Sequence, residues 1–196
     1  NVPISDIDRF QADIECQNMI LDEGAKALAT KVETRVLQSV YSSATSTVTA
    51  AALDATNALK FILQASLKLN QLNVPQDNRF LVIDPITAYF LNLSDLKAAY
   101  LTGESSTPLR SGIAVEKPVG GFKVYISNNL LANASLSHMI AGHMDALCFA
   151  SQISKTETIR NPKEFGDLLR SMITYGFKVT APDALVHVNA TSFGAL

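Results

Sequence analysis

The chain has 196 residues, of which 47% are hydrophobic and 17% are charged, and its formal net charge is -2. This length allows one or two compact domains with a sizeable core. The charge balance disfavours a free-standing nucleic-acid binder, because such proteins carry an excess of lysine and arginine. No apolar run reaches the roughly 18 residues that span a bilayer, so we expect no transmembrane helix.

The first residue is Asn1, and no signal-peptide pattern follows it. We therefore expect a fragment, a processed product or the ordered part of a longer chain. Two cysteines, Cys16 and Cys148, show no motif spacing. We expect both to be buried free thiols, because unpaired cysteines are among the most buried residues.

The first part of the chain predicts two helices. Apolar residues recur at helical spacing over 5–41, with Ser5 as the N-cap and Gly24 as a point where the helix could divide. Unbroken, this helix would be about 50 Å long, which indicates a scaffold element. After a polar link at 42–47, the pattern predicts a second helix over 48–72.

The pattern then changes to a strand followed by short helices. The apolar run at 80–83 predicts a buried strand, and Asp84 and Pro85 are typical of a helix start. Another short helix is predicted over 95–101. Residues 102–112 predict a long surface loop, and loops of this length are often functional.

The rest of the chain is rich in strand patterns. Residues 113–115 and 122–126 predict a hairpin with a glycine turn, and 165–170 predict a short helix. Further strands are predicted over 138–153, 154–160, 171–180 and 185–189. Helices and strands are thus grouped rather than alternating, which indicates an α+β fold.

The residues show no recognisable catalytic constellation. The sequence lacks a Gly-rich phosphate loop, a G-x-S-x-G nucleophile elbow and a paired-cysteine zinc motif. His138 and His143 are five residues apart, which places them on opposite faces of a strand. We therefore predict no catalytic, cofactor-binding or metal-binding residue. Arg160, Lys163 and Arg170 could contact DNA or an acidic neighbour, or simply form a charged surface.

Five segments carry recognisable patterns, at residues 73–85, 121–130, 141–146, 152–162 and 175–179. In this order the patterns are V-P-x-x-x-R-x-x-V-x-x-P, G-F-x-V-Y-x-S-N-x-L, A-G-H-x-x-A, Q-I-x-x-x-E-x-x-R-x-P and Y-G-x-K-V. Together they resemble the major capsid proteins of tailed phages, and most closely the coat proteins of short-tailed phages and prophages. The resemblance covers roughly residues 5–190.

This resemblance implies the Hong Kong phage capsid fold, with a long spine helix, a peripheral β-sheet domain and an axial domain. Residues 1–41 and 151–196 would form the peripheral domain, and 42–150 the axial domain. The family's N-terminal arm and extended loop are missing from the resemblance. The polar stretch at 115–119 also departs from the compact turn of relatives.

The family's function is to build the icosahedral head of the virion around double-stranded DNA, without catalysis. The resemblance implies pentamers and hexamers of copies of the chain, together with portal and scaffolding proteins and no membrane. Subunits would be in the bacterial cytoplasm before assembly. We expect inter-subunit contacts from Glu104 and Arg110 in the long loop, and from Glu157 and Arg160 on the peripheral sheet.

Three other functions remain open on the sequence alone. A cellular nanocompartment of the same fold would enclose a cargo enzyme instead of DNA. An enzyme of unrecognised type would need a pocket with convergent polar groups. A phage accessory or decoration protein is the third alternative.

Overall fold

A computed structural model describes residues 2–5, 15–93, 120–130, 136–161 and 166–191. The helices in these residues are α1 (Glu15–Ser43), α2 (Ala58–Gln71) and α3 (Pro85–Leu93). The strands are β1 (Val2–Ser5), β2 (Ser46–Ala52), β3 (Arg79–Ile83), β4 (Lys123–Ile126), β5 (Leu136–His143), β6 (Leu147–Arg160), β7 (Gly166–Val179) and β8 (Leu185–Thr191). The α+β prediction is confirmed.

The chain divides into two compact units. The smaller consists of Asn1–Glu33 and Phe149–Lys178, and the larger of Thr34–Cys148 and Val179–Leu196. β8 therefore belongs to the larger unit, whereas the sequence analysis grouped it with the peripheral residues. The assignment of the two units to peripheral and axial domains stays a prediction.

The smaller unit contains a three-stranded sheet in the order β1-β7-β6. β1 runs antiparallel to β7, with Ser5 opposite Gly166. The prediction of Ser5 as a helix cap is therefore wrong, because its backbone is extended. The helix predicted over 165–170 is also wrong from Gly166 onward. Pairing with a strand on each side outweighs the local helical pattern there, since β7 is the central strand.

The long helix is confirmed over Glu15–Ser43, and residues 6–14 lie outside the described part of the chain. Its 29 residues continue through Gly24 without a break. At 1.5 Å per residue the helix is about 44 Å long. Its residues up to Glu33 belong to the smaller unit and those from Thr34 to the larger one.

The larger unit is built on a five-stranded mixed sheet in the order β2-β8-β5-β3-β4. β2 is parallel to β8 and β4 is parallel to β3, whereas β5 is antiparallel to both of its neighbours. Alternate residues of each strand point to opposite faces. On β3, Leu81 and Ile83 join one apolar core, while Phe80 and Val82 pack against another.

Different helices cover the two faces of this sheet. The first core contains α2 and α3, through residues such as Phe61, Ile62 and Leu91. The second core contains the last turns of α1, where Val40 is buried beside Ile140. The sheet of the larger unit therefore lies between two helical layers, which is the usual way of burying both faces of a sheet.

The prediction of a helix over 48–72 is wrong in its first part. Ser46–Ala52 form β2, and α2 begins only at Ala58. Val48 is buried in the core, and its backbone pairs with β8. The alanines of this segment favour a helix locally, but pairing with β8 decides the structure. A turn at Asp54 separates the two elements.

The carboxylate of Asp54 stabilises that turn. Its Oδ1 accepts hydrogen bonds from the backbone N–H of Thr56 at 2.9 Å and of Asn57 at 2.7 Å. It also accepts from the Thr56 hydroxyl, and this bond is the largest cause of a lowered pKa of Asp54. An acceptor of this kind satisfies donors at a helix start that would otherwise lack partners.

The buried strand at 80–83 and the strands predicted around residue 142, at 154–160 and at 185–189 are confirmed. Asp84 also caps α3 as predicted, accepting from the Thr87 N–H at 3.0 Å. β4 pairs in parallel with β3, and its predicted hairpin partner at 113–115 lies outside the described residues. The predictions at 95–101 and 102–112 also fall outside them.

Candidate functional site

Two of the four predicted contact residues are described. Glu157 and Arg160 lie on β6, whereas Glu104 and Arg110 lie outside the described residues. Arg170 on β7 donates from its Nε to the Glu157 carboxylate and forms an ion pair with it. This pair is not predictable from local spacing, because the two residues are 13 positions apart.

Glu157 and Arg160 do not share a face of the sheet. An odd spacing along a strand places side chains on opposite faces. Glu157 is half-buried and Arg160 is exposed. If both contact neighbours, they therefore contact them from different sides of the smaller unit.

The recognised segment at 73–85 has a clear structural basis. Arg79 is buried, and its Nε donates to the Pro75 carbonyl at 2.7 Å, while Nη2 donates to the Val74 carbonyl at 2.5 Å. Burial lowers the pKa of Arg79. The guanidinium thus fixes the turn before β3, where Asn73 and Asn78 adopt positive φ angles of 57° and 54°.

The recognised Ala-Gly-His segment also reflects packing rather than chemistry. A Cβ on Gly142 would lie 2.6 Å from Leu185 Cδ2 and 2.9 Å from the Ala184 carbonyl oxygen. Real Cβ atoms do not approach backbone that closely, so this position requires glycine. His143 Nδ1 accepts a hydrogen bond from the Asp145 N–H at 3.3 Å, which stabilises the turn after β5.

The prediction that Cys148 is a buried thiol is wrong. This residue is a free cysteine and it is exposed. Its apolar neighbours in sequence suggested burial, but it lies at the start of β6, where side chains alternate and Leu147 takes the packed position. The side chain of Cys16 lies outside the described side chains.

Two histidines that the sequence analysis did not connect meet on the α1 side of the larger sheet. His138 on β5 and His187 on β8 are 1% and 5% exposed, and His138 Nδ1 lies 3.3 Å from His187 Nε2. Burial, and after it the charge of His138, lower the pKa of His187 to about 4. Burial also lowers the pKa of His138, partly opposed by Asp84. The ring of Tyr41 packs against both.

No group of three or more metal-ligating side chains forms within the described ranges. No helix in those ranges is long and apolar enough to cross a membrane. His138 and His143 lie on opposite faces of β5, as their spacing predicted.

An exposed apolar face on α3 is the other notable surface of the larger unit. We call Ile86, Tyr89 and Leu93 the α3 stripe, because spacings of three and four place them along one side of the helix. Each is between 42% and 50% exposed. The opposite side of α3 buries Ala88 and Leu91. Exposed apolar patches of this kind are typical of surfaces that meet a partner.

Comparison with solved structures gives close matches to the whole chain. A structure from Mycobacterium phage Che8 is 29% identical, with a TM-score of 0.82, over 95% of this chain and 68% of that one. The capsid structure of cyanophage P-SCSP1u is 17% identical, with a TM-score of 0.74, over 98% of this chain and 71% of that one. No protein-family model matches the chain, and no curated protein does.

A weaker match comes from an archaeon. A virus-like particle from Pyrococcus furiosus is 14% identical, with a TM-score of 0.56, over 83% of this chain and 62% of that one. The fold and the phage matches together confirm the resemblance found in the sequence. The chain has the fold of the major capsid proteins of tailed phages.

Proposed function

We propose that this chain is the major capsid protein of a tailed bacteriophage and that copies of it form the icosahedral head around double-stranded DNA. The match to the phage Che8 structure carries the proposal, because it combines 29% identity with nearly full coverage of the chain. The five recognised segments support it independently. The nanocompartment alternative is not favoured, because the matches with the higher identities and TM-scores are phage structures.

The function of such a subunit is repeated association rather than catalysis. Each contact can be weak, because a subunit in a closed shell makes many contacts at once. Rings that close, such as pentamers and hexamers, need head-to-tail contacts between two different surfaces of the chain. We propose the smaller unit as the peripheral domain and the larger unit as the axial domain. Portal protein, scaffolding protein and DNA would be further partners, and assembly would start in the host cytoplasm.

The described residues offer one polar and one apolar candidate for contacts between copies. Arg160 is an exposed cation at the end of β6. The α3 stripe is an apolar surface on the other unit. Glu104 and Arg110 remain candidates from the sequence. The Glu157 carboxylate, also a candidate from the sequence, pairs with Arg170 within the smaller unit.

Charge reversal at Arg160 tests the polar contact. We expect Arg160→Glu in the full-length protein to lower the yield of particles counted by electron microscopy, with unchanged circular dichroism. Lys178→Glu, another exposed cation of the smaller unit, is the matched control and should assemble normally. Normal particles from Arg160→Glu would remove this residue from the interface. Tyr89→Lys tests the α3 stripe in the same assay.

The cargo separates the proposed head from a nanocompartment. Particles isolated from an infected or induced host should contain double-stranded DNA that nuclease digests only after the particles are opened. Particles that enclose a folded enzyme and no protected DNA would contradict the proposal and support the alternative.

A further inference from the structure

The histidine pair lies in a position where it can control how the end of α1 packs on the larger sheet. Tyr41 in the last turn of α1 has its ring centroid 3.8 Å from that of His187 and 5.0 Å from that of His138. The two imidazole rings stack at 29° with their centroids 5.5 Å apart. Val40, one position earlier on the helix, is buried beside Ile140 in the same core. The last turns of α1 therefore rest directly on the pair.

The hydrogen bonds of the pair fit two neutral rings. A neutral imidazole has one N–H donor and one acceptor nitrogen, so one ring donates and the other accepts across the 3.3 Å gap. His138 Nε2 is buried and makes no hydrogen bond to any described residue. An acceptor nitrogen without a partner costs less than a buried N–H without one, so His138 Nε2 is best left unprotonated.

An added proton has no good position in this arrangement. On His138 Nε2 it creates a buried N–H donor without an acceptor. A proton on Nε2 of His187, the accepting nitrogen, would place two N–H groups opposite each other. His138 could avoid this only by moving its own hydrogen from Nδ1 to Nε2. Asn189 lies opposite His138 in the strand register, but its buried Oδ1 makes no hydrogen bond to any described residue. Asn189 Oδ1 would have to move to accept from a protonated His138 Nε2, and protonation of either ring places a positive charge in a buried site, which costs free energy.

We propose that His138, His187 and Tyr41 form a pH-sensitive latch, which holds the last turns of α1 on the sheet when both histidines are neutral and loosens when one is protonated. This regulatory role goes beyond shell formation and does not depend on it. The latch lies within the larger unit, so an isolated subunit and an assembled one both contain it. Acidification would free the end of α1 before it unfolds the rest of the unit.

The lowered pKa values of the two histidines determine how the packing of α1 changes with pH. In the folded chain burial lowers the pKa of both histidines below 6.5, and that of His187 reaches about 4. An opened α1 end exposes them to water and restores the ordinary value. Packing of α1 is therefore fully stabilised above about pH 6.5 and loses stability as the pH falls toward about 4.

The other charged groups near the pair have limited influence. Asp84 acts on His138 in the opposite direction, raising its pKa, but burial outweighs it. Tyr41 faces the pair from α1, and an aromatic ring can attract a histidinium through a cation–π contact. If that attraction dominated, acid would tighten the helix instead of freeing it. The two possibilities therefore predict opposite changes in the protection of α1.

Hydrogen exchange of the full chain measures this directly. Protection factors, corrected for intrinsic exchange chemistry, are compared between pH 7.5 and about pH 5 for the amides of 38–43. With a folded pKa of about 4 for His187 and 6.5 when exposed, we expect protection to fall about thirtyfold. The amides of α2, which packs on the opposite face of the sheet, should change much less.

Variants then assign the response to the pair. The double variant His138→Gln/His187→Gln cannot be protonated and should show no pH response at 38–43. His143→Gln removes the remaining histidine of the chain, on the other face of β5, and should keep the full response. Unchanged or increased protection of wild-type α1 at about pH 5 would overturn the latch. So would an equal loss in α2, and neither of these wild-type results depends on whether a variant folds.

Discussion

Asp84 makes two contacts that the free energy of unfolding can separate. Its Oδ1 accepts from the Thr87 N–H at 3.0 Å and caps α3. Its Oδ2 accepts from the Ser137 hydroxyl at 2.6 Å, which joins β5 to the loop after β3. The hydroxyls of Thr87 and Ser137 lie 3.0 Å apart, and these residues are 0% and 2% exposed. One carboxylate therefore satisfies a helix end and a buried hydroxyl pair.

Asp84→Ala removes both contacts. Loss of the cap costs about 1 kcal/mol. Loss of a charged hydrogen bond to a buried hydroxyl costs about 1.5–3 kcal/mol. We expect the free energy of unfolding to fall by about 3 kcal/mol in total. Asp84→Asn keeps an acceptor oxygen for the cap, but its NH2 group replaces the acceptor Oδ2 and the charge is lost. Its loss should therefore be smaller, at about 2 kcal/mol, because only the contact with Ser137 is changed.

Urea denaturation measures these losses as shifts of the midpoint at constant slope. The matched control is Asp77→Ala, an exposed aspartate before the same strand, which should stay within about 0.5 kcal/mol of wild type. The reasoning is refuted if Asp84→Ala is as stable as the control. A loss in Asp84→Asn equal to that of Asp84→Ala would show that the contact of Oδ2 with Ser137 accounts for the whole loss and that the cap contributes nothing.

Two further predictions concern packing and the ion pair. Gly142→Ala should lower the free energy of unfolding by about 1–3 kcal/mol, because its Cβ would meet backbone. Gly176→Ala, where nothing lies within 4 Å, should not lower it, and equal losses would contradict the packing argument. A double-mutant cycle on Glu157 and Arg170 should give a coupling below about 1 kcal/mol that shrinks with added salt, because the arginine is half exposed. A larger, salt-independent coupling would show that the pair is shielded from solvent.

The Asp84 region shows what the sequence could predict and what it could not. The order of an apolar run, an aspartate and a proline predicts a strand followed by a capped helix, because those preferences are local. The Ser137 partner is 53 residues away and only the folded sheet brings it to Asp84. The same limit applies to the ion pair of Glu157 and to the histidine pair, whose members are 49 residues apart.

Long-range strand pairing also explains the two main errors in secondary structure. The segment at 48–52 is rich in alanine and favours a helix, yet it is a strand because β8 supplies a parallel partner. The start of β7 at Gly166 pairs with β1, which is more than 160 residues distant in sequence. Neither partner is visible from local periodicity. The continuous apolar run at 80–83, by contrast, matched the structure because both faces of that strand pack against an apolar core.

Cryo-electron microscopy of the purified full-length protein tests the central claim most directly. We expect closed shells of pentamers and hexamers in which the density of each subunit accommodates the long helix and the two sheets. A protein that stays monomeric under every assembly condition, or that forms an unrelated assembly, would contradict it.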